Sequence, residues 1–165
     1  MTLNEFNDAD PAVLKPLLLS YAAIPAWADD LMAARPFDTL ASLLAVAEQL
    51  TLGWQPQQVA SALSHHPRIG ETAAGDDAAA DHARREQPSL TDHDGALKRA
   101  LLAGNRQYEA RFQHIFLIRA AGRGAEEILA CLRRRLNNTD EQEQLATTEQ
   151  LREITLLRLR QGFAP

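Results

Sequence analysis

Apolar residues recur at helical spacing along almost the whole chain. In "PAVLKPLLLSYAA" and "TLASLLAVAEQL" they return every three or four positions, as on the buried face of an α-helix. Asp10 and Asp38 precede these segments as candidate N-caps, and Pro16 is a candidate break or kink in the first. The other predicted helices are residues 26–35, 56–66, 76–87, 91–112, 125–138 and 139–161, the last with a capping box from Thr139 to Gln142.

Two segments depart from this pattern. "AAADHARREQ" is alanine-rich and polar, so the helix predicted there has a weak apolar face. "HIFLIRAAGRG", residues 114–124, is a short apolar run that ends in glycines, which predicts extended or irregular and buried backbone. We find no internal repeat or linker. The sequence therefore predicts an all-α fold, with residues 1–165 forming a single compact bundle of about seven or eight helices.

Composition and charge argue against two classes of function, nucleic-acid binding and membrane association. The net charge is −5, and the basic run Arg133–Arg135 lies late in a helix, where cations suit the helix dipole. This argues against nucleic-acid binding. The first residues do not resemble a signal peptide, and no apolar window is long enough to span a membrane. The lone Cys131 is predicted to be a packing residue. We therefore expect a cytoplasmic protein without membrane association.

The stretch "SALSHHPRIG" places two histidines where a helix meets a proline. A residue before proline is driven out of the α region, so the helix is predicted to stop near His66. If it continued that far, His66 would share a face with Val59 and Leu63 and point inward, while His65 would be solvated. A partly buried imidazole is a candidate general base. The alternative is a histidine at the core edge that bonds to a carbonyl.

Two further features do not fit a bundle built only for packing. Glu86 and Gln87 lie at a helix end before Pro88, where a carboxylate could handle protons and a carboxamide could bind a substrate's N–H and C=O groups. The alternative is a solvated helix end. Arg158 falls on the apolar stripe of the last helix, so it is expected either to reach solvent or to meet an anion such as a substrate carboxylate.

Other chemistries find less support. His82 and Glu86 are spaced i,i+4, and with His65 and His66 they would form the ligand set of a metal-dependent hydrolase. There is no HExxH motif and no Cys/His cluster, so we predict no metal site. Dinucleotide-binding, P-loop and nucleophile-elbow motifs are also missing from the sequence. A non-catalytic helical binding domain remains an alternative, in which "HHPRIG" only ends a helix.

Four blocks, taken in order, resemble one known family. They are "HHPRIG", "ARREQ", "NRQYEARFQHIFLIRAAGR" and "LREITLLRLR". Together they are similar to 2-oxo-4-hydroxy-4-carboxy-5-ureidoimidazoline (OHCU) decarboxylase, the last enzyme of the route from urate to (S)-allantoin. The resemblance covers nearly the whole chain. It implies an all-helical enzyme that binds a small ureidoimidazoline substrate, needs no cofactor and forms a homodimer.

The resemblance also implies roles for individual residues. The family's catalytic histidine matches His66 rather than His65, and its glutamate and glutamine match Glu86 and Gln87. The proline that lines the family's pocket matches Pro67, and the arginine of the last helix matches Arg158. The remaining expected substrate-binding residues are Ala83, Arg84 and Arg85 before the glutamate, and the backbone of Ile118, Arg119, Ala120, Ala121 and Gly122.

The chain departs from the family pattern at two positions. Family members often have serine where this chain has Ala83, so one substrate hydrogen bond is expected to be lost or replaced by backbone. They commonly have glycine after the residue that matches Phe112, where this chain has Gln113. Neither change touches His66 or Glu86.

Overall fold

All regular structure in the described part of the chain is helical. The computed structural model describes residues 1–71, 77–88 and 95–163. These residues contain nine helices: α1 (Leu3–Asp8), α2 (Pro11–Tyr21), α3 (Pro25–Ala33), α4 (Leu40–Thr51), α5 (Pro56–Leu63), α6 (Ala78–Glu86), α7 (Gly95–Phe112), α8 (Ala125–Arg135) and α9 (Asp140–Gly162). The predicted all-α class is confirmed, with one helix more than expected.

The additional helix is α1, which is too short to show a period. It buries only Phe6 and begins with a capping box between Thr2 and Glu5. The N-cap predicted for α4 was wrong, because Thr39 rather than Asp38 accepts the hydrogen bond from the Ser42 amide. Pro16 does not break α2, which continues through it to Tyr21.

The predicted ends of four other helices have different outcomes. Helix α5 ends at Leu63, three residues earlier than predicted, and the His66 amide donates to the Leu63 carbonyl in a turn (3.0 Å). The predicted starts of α6 at residue 76 and of α7 at residues 91–92 lie outside the described residues. The capping box of α9 is confirmed, because the Thr139 and Gln142 side chains each accept from the other's backbone amide.

The chain divides into two compact units. The first comprises residues 1–62 and 152–165. In its core, Trp27 donates its Nε1 proton to the Ala47 carbonyl (3.1 Å) and meets Trp54 edge to face, with ring centroids 6.4 Å apart. A cavity of about 210 Å³ lies beside both tryptophans and is lined by Ala26, Trp27, Asp30, Gln49, Leu50, Gly53, Trp54 and Gln58.

The second unit, residues 63–151, packs around the aromatic side chain of Tyr108. Tyr108 stacks at an angle on Phe112 and meets Phe116 edge to face. Residues 115–120 form neither helix nor strand, and Phe116, Leu117 and Ile118 are all buried. The irregular, buried backbone predicted for residues 114–124 is therefore confirmed. The expectation that both units form one domain stays a prediction.

An ion pair is buried in the second unit. Arg135 (7% exposed) donates from Nε to the Glu143 carboxylate (2.8 Å), and Glu143 is fully buried. Tyr108 donates its hydroxyl proton to the same carboxylate, and Arg135 also donates to the Leu117 carbonyl. The pKa of Tyr108 is raised, mainly by burial and secondly by the hydrogen bond to Glu143. Arg135 is thus a core residue and not only a cation that suits the helix dipole.

Candidate active site

His66 closes the first of two hydrogen-bonded turns that follow α5. We call residues 64–71 the histidine segment. It begins with the turn closed by the Leu63 carbonyl and the His66 amide, and ends with a second turn in which the Glu71 amide donates to the Arg68 carbonyl (3.0 Å). Gly70 has a φ of 90° at the third position of that second turn, a conformation that favours glycine. Pro67, whose ring fixes its own φ, lies between the two turns.

Gln87 joins the end of α6 to the histidine segment. Its Oε1 accepts the Gly70 amide (3.0 Å), and its Nε2 donates to the Arg68 carbonyl (3.4 Å). Glu86, the last residue of α6, precedes it and is half-buried. The structure therefore brings together two of the predicted site blocks, "HHPRIG" and "ARREQ". In this arrangement the Gln87 carboxamide binds backbone.

Two residues of α7 that the sequence analysis missed hold the same segment. Asn105 donates from Nδ2 to the Ile69 carbonyl (3.0 Å). Glu109 accepts from Nε of Arg68 with both carboxylate oxygens (2.8 and 3.1 Å), and this carboxylate raises the pKa of Arg68. The sequence could have singled out Asn105, because this polar residue lies four residues after Leu101 and three before Tyr108, on the apolar face of α7.

The two histidines differ in exposure. His66 is half-buried and His65 is exposed, which agrees with the expected inward direction of His66. The reasoning behind that expectation was wrong, because α5 ends at Leu63 and the turn, rather than a continuous helix, places His66. The helix before Glu86 places Ala83 in the interior, pairs Arg84 with Asp81, and leaves Arg85 exposed.

The predicted backbone site, residues 118–122, lies in what we call the apolar segment, residues 114–124. Ile118 and Ala120 belong to the same buried cluster as Ile69 of the histidine segment. The Arg119 amide donates to Oε1 of Gln150 (2.9 Å), and the Arg119 side chain donates to the Ala121 carbonyl. Gly122 ends the run with a φ of 77°. Three of the four predicted site blocks thus lie in the second unit.

Arg158 belongs to the first unit. It is 3% exposed, and its guanidinium donates to the carbonyls of Ser20 (3.2 Å) and Tyr21 (3.3 Å) at the end of α2. Carbonyls at a helix C-terminus lack helical partners and carry partial negative charge, which suits an arginine. The expectation that Arg158 either reaches solvent or meets an anion did not foresee these partners. A contact with substrate stays a prediction.

A metal site and a membrane span find no support in the described residues. No group of three or more His, Cys, Asp or Glu side chains there is placed to hold a metal ion, so the hydrolase alternative finds no ligand set in those parts of the chain. None of the described helices combines the length and apolar character that a membrane crossing needs. The cavity beside the two tryptophans is lined by none of the predicted site residues.

Comparison with known families identifies the chain. A sequence model described as OHCU decarboxylase matches residues 7–160. The chain belongs to the OHCU decarboxylase family. As a member of that family it is a carboxy-lyase of urate catabolism. Comparison with curated proteins found no match.

Two solved structures share the fold of this OHCU decarboxylase family member. One is a crystal structure of an OHCU decarboxylase in the presence of (S)-allantoin, with a TM-score of 0.75 and 21% identity over 91% of this chain and 99% of the other. The second is an (S)-allantoin synthase, with a TM-score of 0.70 and 20% identity over 98% of this chain. This chain covers 54% of that synthase.

The departure from the family pattern that the sequence resemblance implies at Gln113 has a visible structural context. Gln113 follows the last residue of α7 and has a φ of 63°, the only positive φ of a non-glycine residue in the described chain. Helices commonly end with glycine in this left-handed conformation, because glycine has no Cβ to clash. The backbone conformation at this position therefore favours glycine, and the glutamine of this chain adopts it at the cost of strain.

Proposed function

We propose that this chain converts OHCU to (S)-allantoin and carbon dioxide without a cofactor, with His66 and Glu86 as catalytic residues. The observation that carries the proposal is the pair of hydrogen bonds in which Gln87 accepts from the Gly70 amide and donates to the Arg68 carbonyl. These bonds tie the end of α6, which holds Glu86, to the segment that holds His66. His66 and Glu86, which are 20 residues apart in the sequence, thereby lie on two segments that hydrogen bonds join.

The substrate supplies its own electron sink. Decarboxylation releases an electron pair, which usually requires a cofactor such as pyridoxal phosphate to accept it. In OHCU a C=N bond adjoins the carbon that bears both the hydroxyl and the carboxylate. When the C–CO₂ bond breaks, its electron pair forms a C=C bond, and the pair of the former C=N bond moves to nitrogen, which takes a proton. The protein needs only to orient the substrate and to move protons.

In the proposed mechanism His66 is the general base. Its unprotonated imidazole accepts the proton of the substrate hydroxyl as the C–CO₂ bond breaks, and the resulting enolate collapses to the ring carbonyl. Protonation of the neighbouring carbon on one face then gives a single enantiomer. The His66 backbone is held by its hydrogen bond to the Leu63 carbonyl, and a fixed backbone favours this proton transfer because it limits where the imidazole can lie.

The other predicted residues orient the substrate in this scheme. Glu86 lies near the departing carboxylate or the ureido group, and either shares a proton or disfavours the carboxylate by like charge. Gln87, Pro67 and the backbone of residues 118–122 hold the ring, and Arg158 binds an anionic or carbonyl group. Ala83, Arg84 and Arg85 complete the proposed contact set.

A coupled assay tests the reaction. The purified protein is mixed with freshly made 5-hydroxyisourate and its hydrolase, and circular dichroism follows the appearance of chiral allantoin. We expect rapid formation of one enantiomer. Racemic product at the uncatalysed rate would favour a non-catalytic helical binding domain. Activity that is lost on chelation and restored by a divalent metal would favour a metal-dependent hydrolase.

Substitution of the two neighbouring histidines tests the base. We expect His66→Asn to lower kcat by about a hundredfold or more, in the range found for loss of general-base catalysis. The matched control is His65→Asn, because His65 is adjacent and exposed. Wild-type turnover in His66→Asn would remove His66 from the scheme.

Arg158→Met tests the proposed substrate contact against the structural role of the arginine. A substrate contact requires a raised KM in enzyme that circular dichroism shows to be folded. A variant that loses stability but keeps its KM would confine Arg158 to binding the α2 carbonyls. Arg160→Met on the same helix is the control, since Arg160 is exposed.

Two properties are proposed from the family resemblance alone. We propose that the enzyme is a homodimer and that it works in the cytoplasm. Light scattering coupled to size-exclusion chromatography tests the first, and a monomer at assay concentration would refute it. Fractionation of cells that express the protein tests the second.

A further inference from the structure

One peptide group of the histidine segment is held from both sides by side-chain carboxamides. The carbonyl of the Ile69–Gly70 peptide accepts from Nδ2 of Asn105 (3.0 Å), and the amide of the same peptide donates to Oε1 of Gln87 (3.0 Å). Because a peptide group is planar, two bonds on opposite edges fix both its position and its tilt. We call this arrangement the amide clamp: Asn105, Gln87 and the peptide between Ile69 and Gly70.

The preceding peptide is restrained as well. The Arg68 carbonyl accepts from the Glu71 amide (3.0 Å) and from Nε2 of Gln87 (3.4 Å). Two successive peptide groups are therefore fixed. Between them and His66 stands Pro67, whose ring removes one of the remaining backbone torsions. His66 itself donates its amide to the Leu63 carbonyl, so its backbone is restrained on both sides.

Asn105 is the buried anchor of this arrangement. It is 4% exposed and lies in the middle of α7, between Leu101 and Tyr108, which are both buried in the core of the unit. Leucine or alanine would suit such a position better by helix propensity and by burial. A buried carboxamide there needs hydrogen-bonding partners, and the Ile69 carbonyl is one. The polar residue thus serves the histidine segment rather than the helix.

We propose that Asn105 is a positioning residue for His66, acting through the amide clamp and without touching the substrate. The inference rests on the proposed function of His66 as the base. It extends that function to a residue that carries no reacting group. Through Asn105, helix α7 controls the orientation of the His66 imidazole. His66 lies three residues before the clamped peptide.

Kinetics of Asn105 variants test the inference. Asn105→Asp keeps the shape but sets a carboxylate oxygen against the Ile69 carbonyl, and Asn105→Ala removes the donor. We expect kcat to fall by about ten- to a hundredfold in both variants, with KM changed less than about threefold, because a misplaced base impairs the chemical step more than binding. Rates are measured where circular dichroism shows each variant fully folded.

Asn137→Asp is the matched control. Asn137 also donates from Nδ2 to a main-chain carbonyl, that of Arg133 (3.2 Å), but it is exposed at the end of α8. We expect wild-type kcat from this variant. Wild-type kcat in folded Asn105→Ala would overturn the inference, as would a loss that appears only in stability or only in KM.

Amide hydrogen exchange tests the clamp without any assay of activity. In the wild type we expect the Gly70 amide to exchange more slowly than in an unstructured peptide, and we expect Asn105→Ala to accelerate it by at least about tenfold relative to amides in the middle of α9. Unprotected Gly70 in the wild type refutes the clamp, even if the variants fail to fold. If the wild type lacks decarboxylase activity but Gly70 shows the expected protection, the proposed function fails while the clamp stands.

Discussion

The histidine segment and the apolar segment are both irregular, but they are held in different ways. In the histidine segment only Ile69 is buried, and the side chains of Gln87, which follows α6, and Asn105 of α7 bind its backbone. The apolar segment buries three consecutive side chains from Phe116 to Ile118, and polar side chains also bind its backbone, as Arg135 does at the Leu117 carbonyl. A segment that buries only one side chain cannot rely on burial for its stability. Directed hydrogen bonds to its backbone replace the hydrophobic contribution.

The largest expected effect concerns the polar anchor of the apolar segment. Glu143→Gln removes the charge partner of Arg135, whose guanidinium also binds the Leu117 carbonyl. Because this leaves a buried arginine without its counter-charge, we expect the free energy of unfolding to fall by about 3 kcal/mol or more, measured by urea denaturation. Glu127→Gln is the control: it breaks an exposed pair with Arg123 and should cost about 0.5 kcal/mol or less. Equal losses would show that Arg135 does not depend on Glu143.

The next effect concerns the backbone of the histidine segment. Gly70→Ala places a Cβ at a φ of 90°, although no atom of the described residues beyond its two chain neighbours lies within 4 Å to obstruct it. The cost is conformational, and we expect about 1 kcal/mol of lost stability together with a lower kcat. Gly53→Ala is the comparison, because Gly53 lies outside the left-handed region and meets only an ordinary contact. A neutral Gly70→Ala would mean that the turn relaxes at little cost.

A smaller effect, of opposite sign, is expected where the apolar segment begins. Gln113→Gly relieves a left-handed φ at the end of α7 at the loss of one exposed bond to the Ala110 carbonyl. We expect the variant to gain about 0.5–1 kcal/mol and a higher melting temperature. Gln107→Gly, in the interior of the same helix, should lose about 1 kcal/mol. The same sign for both substitutions would contradict this account.

The smallest effect is expected from the ion pair of the histidine segment. Arg68 and Glu109 are partly exposed, so Glu109→Gln should cost less than about 1 kcal/mol, and the cost should shrink as salt is added. Urea denaturation at low and high ionic strength measures both. A large, salt-independent loss would make this pair, rather than the amide clamp, the principal anchor.

These differences explain what the sequence could predict. The apolar segment was recognisable from its own composition, as were the helices with strong periodicity. The anchors of the histidine segment were not, since they come from residues 17, 36 and 41 positions away. Such pairings depend on how the helices pack, which local patterns do not determine.

Single residues illustrate the same limit. Arg135 was hidden in a run of three arginines, although it shares a helical face with Ile128 and Leu132 and is buried like them. Arg158 was recognised as unusual on its apolar stripe, but its carbonyl partners on α2 are 137 and 138 residues away. His66 was selected by its place before proline, whereas the end of α5 was misplaced by three residues.

The pairing of Trp27 with Trp54 has a practical consequence. They are the two tryptophans of the chain, and both belong to the first unit. Indole emission therefore reports on the unit formed by residues 1–62 and 152–165, and the unit that holds His66 contains no tryptophan. Denaturation curves recorded by fluorescence alone would miss an independent opening of the half of the protein that carries the proposed chemistry, so ellipticity must be followed beside it.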